Sequence, residues 1–204
     1  MMQSIQKQVV ARIYGKRRGW VFTPSRFLDL GPRKSIDMAL SRLRNAGSIR
    51  RLARGLYDYP RKHPKLGLLS PEPKAIARAI SEKDGSRLQP SGAYAVNLLG
   101  LSQQVPAKIV YLTDGPEKTV EVGKQRIQLR RTTTRNMATA GTRSGLVIQA
   151  FRYLGKRAIT PDHISTLRRT LSLVDRKRLW KDRVYAPAWM HHYFDEIQQG
   201  LPGD

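Results

Sequence analysis

The chain has 204 residues, with 38 Lys and Arg against 15 Asp and Glu, and its formal net charge of +23 makes polyanion binding the leading expectation. Apolar residues at 40% and charged residues at 26% are ordinary globular proportions, which argues against both a disordered basic tail and a small, neutral-surfaced metabolic enzyme. With no cysteine, disulfide frameworks, thiolate zinc sites and cysteine nucleophiles are excluded.

The N-terminus lacks the apolar stretch of a signal peptide, and no apolar run approaches the ~18 residues of a membrane span, so the expected location is the cytoplasm, in association with the nucleoid. Ile5, Val9 and Ile13 predict an amphipathic first helix ending near Gly15, followed by a short strand at Trp20-Val21-Phe22. Thr23-Pro24 reads as an N-cap and first helical position, opening a short helix through Phe27 and Leu28 that stops at Gly31. Pro32 opens a longer helix, to Ala46, with Ile36, Leu40 and Leu43 on its apolar stripe and Gly47 as its left-handed cap. Ile49 to Tyr59 reads as a hairpin turning at Gly55, although adjacent Arg50 and Arg51 leave open which of them faces out. Helix, strand, helix, turn, helix and hairpin is the order of a winged helix-turn-helix.

Prolines at 60, 64, 71 and 73 place a linker at residues 60 to 72, giving a winged-helix domain over 1–62 and a second domain over 72–204. There, Pro73 starts a helix with Ile76 and Ile80 inward, and Ser91 is placed to cap another through Leu99. Ile109 to Thr113, Thr119 to Val122 and Arg126 to Arg130 read as strands, and the pattern returns to helix from Arg143, with starts at Thr160-Pro161 and after Pro187. The expected fold class is α+β: a winged helix followed by a mixed domain with a helical C-terminus.

Residues 1–65 hold 16 basic and 3 acidic residues, so the polyanion is expected to be gripped mainly by the N-terminal third. On the long helix Lys34, Met38 and Ser41 fall opposite the apolar stripe and Asp37 on its flank, the set expected to read bases in a major groove. Arg33, Arg42 and Arg44 suit phosphates, as do Arg50, Arg51 and Arg54 of the hairpin, with Arg54 at its tip. Arg17 and Arg18 extend the phosphate contacts, and Arg176-Lys177-Arg178 is a second candidate nucleic-acid contact. The one dense catalytic candidate, His191-His192 with Asp195 and Glu196, offers two potential ligands per helix face, too few for a metal. No phosphate-binding loop, hydrolase elbow or zinc-protease signature is present, and the reading is a non-enzymatic protein without cofactor or metal.

Two stretches, Ser41 to Tyr57 and Gln89 to Gly115, resemble the AbiEi-type antitoxins of type IV toxin–antitoxin systems, and the resemblance covers roughly residues 5 to 130. It implies a bacterial autorepressor that binds inverted repeats in its own promoter, as a homodimer or as cooperative monomers. Its second domain would counteract a nucleotidyltransferase-like toxin, with or without direct contact. The strongly basic C-terminal region departs from that pattern and suggests a second DNA contact or RNA binding there. The alternative is a general RNA- or ribonucleoprotein-binding protein without operator specificity.

Overall fold

The first helix, α1 (Ile5–Tyr14), is capped by Ser4, whose hydroxyl accepts from the Lys7 amide, and it buries Val9 and Ile13. The computed structural model describes residues 4–199. Strand β1 (Trp20–Phe22) leads into a 3-10 turn (Pro24–Phe27), where an ordinary helix was expected. Thr23 does not cap that turn, because its hydroxyl is engaged by Ser25 Oγ at 2.6 Å. Helix α2 (Arg33–Asn45) buries Ile36, Ala39, Leu40 and Leu43, which join Val9, Ile13, Phe22, Phe27 and Ile49 in one core. Phe22 and Phe27 meet edge to face at 5.5 Å in its centre.

Gly47, at φ 70°, closes α2 with paired reverse bonds, Gly47 N–H to Arg44 O and Ser48 N–H to Leu43 O, and so aims the chain directly into the next strand. Strands β2 (Arg50–Ala53) and β3 (Leu56–Tyr59) form a hairpin whose two-residue turn is Arg54-Gly55, with Gly55 at φ 69°. The three strands are antiparallel in the order β1-β3-β2. After the small β4 (Lys62–His63) and β5 (Gly67–Leu68) pair comes helix α3 (Pro73–Ser81), which buries Ile76 and Ala77.

The structure divides into two compact units, residues up to Gly85 with Val120–Lys124, and Ser86–Thr119 with Gln125 onward. The proline-rich segment expected to be the linker therefore lies inside the first unit. It is held there because α3 packs on β1, Arg61 pairs with Glu72 at 2.8 Å, and the Leu69 carbonyl accepts from Arg50.

The second unit holds β6 (Leu88–Ser91), α4 (Gly92–Leu98), β7 (Lys108–Thr113) and β9 (Gln125–Arg131); β8 (Lys118–Val122) is divided between the units at Val120, and the sheet order is β6-β7-β9-β8. β7 runs antiparallel to β6 and parallel to β9, placing Ile109 beside Ile127 and Tyr111 beside Leu129. β6 is not foreseen from sequence because Pro90 interrupts its pattern, and the sheet tolerates that proline at an edge. Ser91 does not cap α4, since its hydroxyl donates to Gln149 Oε1 at 3.3 Å.

Helices α5 (Thr134–Met137), α6 (Arg143–Leu154), α7 (Pro161–Thr170), α8 (Leu173–Lys181) and α9 (His191–Gln198) complete the unit. α6 is its axis: every residue from Ser144 to Phe151 is buried, and Val147 and Phe151 share a core with Leu167, Leu179, Phe194 and Ile197. Thr160 caps α7 as expected and His163 closes the capping box, its Nδ1 accepting from the Thr160 amide. The fold class is α+β.

Gly145 in the second unit is packed against backbone that cannot give way. A methyl there would overlap the Thr139 carbonyl and come within 2.9 Å of Gln89 Oε1, both belonging to buried residues. Gly145→Ala is expected to lower stability by about 1–3 kcal/mol or more, measured by urea unfolding; an unchanged midpoint would contradict this packing.

Asp29 and Asp114 are held below the ordinary aspartate value of 3.8 by hydrogen bonds from Arg12 and Arg87, respectively. Because the folded-state value is the lower one, each contribution is complete above about pH 3.8 and is lost as pH falls through the depressed value. The double variant Asp29→Asn/Asp114→Asn is therefore expected to show a flatter decline in thermal midpoint between pH 5 and pH 2 than the wild type.

Candidate nucleic-acid interface

The core stripe of α2 fixes what its other side presents. Lys34, Asp37, Met38, Arg42, Arg44 and Asn45 are exposed, and Ser41 is half-buried, as the helical spacing predicts. Their side-chain partners separate them. Arg33 Nε donates to both Asp37 oxygens at 2.9 Å, Arg42 donates to Gln6 Oε1 at 2.6 Å, and Arg44 donates to Asn45 Oδ1 at 3.0 Å. Lys34 and Met38, 48% exposed, have no side-chain partner among the described residues, so a donor and a thioether stand open side by side. Asp37 is already engaged, and accepting from a cytosine amine would require it to share its oxygens with Arg33.

The register of β2 on β3 decides between the two adjacent hairpin arginines. Arg50 lies opposite Asp58, which is 1% exposed, and donates to it through Nε and Nη2 at 3.1 and 2.7 Å, with a further bond from Nη2 to the Leu69 carbonyl. Its guanidinium is thus committed within the unit rather than presented to a phosphate. Arg51 is exposed, with only a long 3.4 Å bond to the Ala53 carbonyl, and Arg54 projects from the hairpin turn with no partner among the described residues.

Arg17 is exposed, and Arg18 lies over the Tyr59 ring at 4.7 Å while donating to the Pro60 carbonyl. Tyr59 also stacks on Tyr14 at 5.5 Å, and Tyr14 donates to Ser48 Oγ. Together with Gly47 and Lys62 these residues line a groove at the C-terminal end of α2. Tyr14, Tyr59 and Lys62 were not singled out from sequence, although aromatic residues interleaved with basic ones at 14–20 and 57–62 were the available signal.

All three acids of residues 1–65 are paired, Asp29 with Arg12, Asp37 with Arg33 and Asp58 with Arg50, while Arg26 and Arg61 pair with Glu82 and Glu72. The other eleven of the 16 basic residues in that segment make no ion pair among the described residues. The acids therefore act as internal staples and leave the surplus charge on the surface.

Of the second basic cluster only Arg176 is turned inward. Arg176 donates to the Arg168 and Leu171 carbonyls at the end of α7, Arg178 reaches Asp182 at 3.4 Å, and Lys177 alone of the three is exposed without a partner. His191 contacts the Arg183 carbonyl, His192 packs on Tyr193, and no group of three potential metal ligands exists among the described residues.

Arg50→Ala strands a buried carboxylate and is expected to cost about 3–5 kcal/mol in urea unfolding, whereas Arg51→Ala should remain within about 0.5 kcal/mol. Equal losses at the two positions would refute the inward and outward assignment.

Among the described residues no helix is long and apolar enough to cross a membrane. No curated protein matches the chain. A family model, described as a family of unknown function, DUF6088, matches residues 8–179. That match spans most of the sequence, and the chain belongs to the DUF6088 family.

Proposed function

We propose that the first unit is a winged helix that binds double-stranded DNA sequence-specifically, and that the protein is a transcriptional autorepressor rather than an enzyme. The observation that carries this reading is the set of eleven cations within residues 1–65 that make no ion pair among the described residues, among them Lys34, Arg42 and Arg44 on α2, Arg51 and Arg54 of the hairpin, and Arg18 and Lys62 in the groove. A helix exposing Lys34 and Met38 beside arginines, followed by a hairpin tipped by Arg54, has the chemistry for base contacts flanked by phosphate contacts. Lys34 would donate to guanine O6 or N7, Met38 would touch a thymine methyl, and Arg51 and Arg54 would follow the backbone. Half-sites in an inverted repeat would be filled by a homodimer or by cooperative monomers. Such a repressor would act in the cytoplasm on the nucleoid.

The role of antitoxin against a nucleotidyltransferase-like toxin rests on the resemblance carried by Ser41 to Tyr57 and Gln89 to Gly115. The first stretch runs from α2 through the hairpin, and the second covers most of β6, α4 and β7.

The test is a titration of the purified protein against a duplex of its own upstream promoter and a scrambled duplex, at two salt concentrations. A specific repressor prefers the promoter by about a thousandfold at both. Lys34→Ala should reduce that preference by about 1–3 kcal/mol, while Arg54→Ala should weaken both duplexes alike and lower the salt slope by about one. Equal affinities that collapse together with salt would overturn the reading in favour of general RNA or ribonucleoprotein binding.

A further inference from the structure

In the second unit two arginines from different helices converge on one turn. Arg135 of α5 donates through Nη2 to the Val184 carbonyl at 3.0 Å, and Arg152 of α6 donates through Nη2 to the Tyr185 carbonyl at 3.2 Å. Val184 and Tyr185 are consecutive residues at the end of the 3-10 turn Asp182–Tyr185, so the two guanidiniums are anchored on adjacent backbone oxygens. Both are solvent-accessible, and neither meets a carboxylate among the described residues. Each guanidinium has five N–H donors, and a single protein bond is made by each here.

Arginines often cover carbonyls at the end of a helical turn, and one is enough for that purpose. A second cation beside the first adds repulsion, and Arg152 feels it: partial burial and the charge of Arg135 push its guanidinium below the ordinary arginine range. In this same unit Arg87 is matched to Asp114 and Arg178 to Asp182, whereas Arg135 and Arg152 share one turn with no carboxylate partner among the described residues. Two guanidiniums anchored on adjacent carbonyls, each making one protein hydrogen bond, leave N–H donors open to an anion.

We propose that Arg135 and Arg152 form a binding site for a phosphate monoester, independent of the DNA-binding surface of the first unit. A carboxylate brings two oxygens and one charge and fills one guanidinium fork. A phosphate monoester brings three terminal oxygens and a charge between −1.5 and −2, which suits two forks, and arginine forks match phosphate geometry. The same group occurs as free phosphate, on a mononucleotide and at the 5′ end of a nucleic-acid strand.

The test uses the full-length protein and a short single-stranded oligonucleotide in 5′-phosphorylated and 5′-hydroxyl forms, with inorganic phosphate as competitor. The phosphorylated form should bind at least tenfold tighter, and Arg152→Gln or Arg135→Gln should each erase that difference, with Arg152→Lys restoring part of it. Far-UV circular dichroism and the thermal midpoint verify that the variants are folded, and the two glutamine variants serve as independent readings of one site. Competition by millimolar inorganic phosphate would assign the site to the free ion or a mononucleotide. Binding of the 5′-phosphorylated strand without such competition would assign it to strand ends. Equal binding of the two oligonucleotide forms by the wild type, or a difference that survives in both glutamine variants, would overturn the proposal. A promoter duplex with 5′-hydroxyl ends should bind these variants as it binds the wild type, so failure of this site and failure of the DNA-binding reading are separately visible.

Discussion

Asp58 lies in the middle of β3 at 1% exposure, and a carboxylate so deeply buried persists only with a partner that supplies charge and hydrogen bonds together. Arg50 supplies both from the directly opposite position on β2, and its remaining bond to the Leu69 carbonyl carries the interaction out to the segment leading into α3. One residue of register slip would turn Arg50 to solvent and Arg51 toward the buried carboxylate, so the pair fixes the hairpin as well as tolerating it. Because Arg50 is committed, Arg51 and the turn arginine Arg54 are presented outward. The structure of this hairpin and the chemistry of its surface follow from a single buried acid.

The same logic runs through the whole first unit. Arg12 holds Asp29 with two bonds of 2.7 Å and also donates to the Arg26 carbonyl, stapling α1 to the chain around the 3-10 turn. Arg33 holds Asp37 on the first turns of α2, which leaves Lys34 and Met38 as the open positions of that face. With Asp29, Asp37, Asp58, Glu72 and Glu82 tied to arginines, the unit has too few acids to neutralise its remaining cations internally. Their mutual repulsion is relieved by salt or by a polyanion, which is why affinity for such a partner should depend steeply on ionic strength.

The second unit is organised around a helix rather than a charge. α6 is buried along most of its length, which requires its polar residues to find partners: Gln149 accepts from Ser91, Ser144 bonds to Asp182, and the Thr142 hydroxyl accepts from the Gly145 amide as the helix cap. Gln89, itself buried, accepts from the Gly141 amide and so ties the sheet edge to the loop that starts α6. α6 reaches the surface with a charge at its two ends, at Arg143 and at Arg152, the latter near Arg135.

Much of this was legible in the sequence, because some signals are local. The spacing of Val9 and Ile13, and of Ile36, Leu40 and Leu43, predicts the two helices and their buried faces, and Gly47 and Gly55 mark a helix end and a hairpin turn that require left-handed backbone. Thr160-Pro161 likewise announces α7. Tertiary structure decided what local pattern leaves degenerate: Pro90 can sit in a strand only because β6 is an edge, and residues 60–72 join the first unit only because α3 packs on β1. It also decided which basic residues are free. Composition determines that the cations outnumber the acids, but the acids are distributed among them by strand register and by helices meeting in space, as Arg50 against Asp58 and Arg176 against the end of α7 demonstrate. Hydrogen-bond partners distant in sequence leave no periodic trace in the chain, so a run of arginines reads alike whether it faces a carbonyl or water.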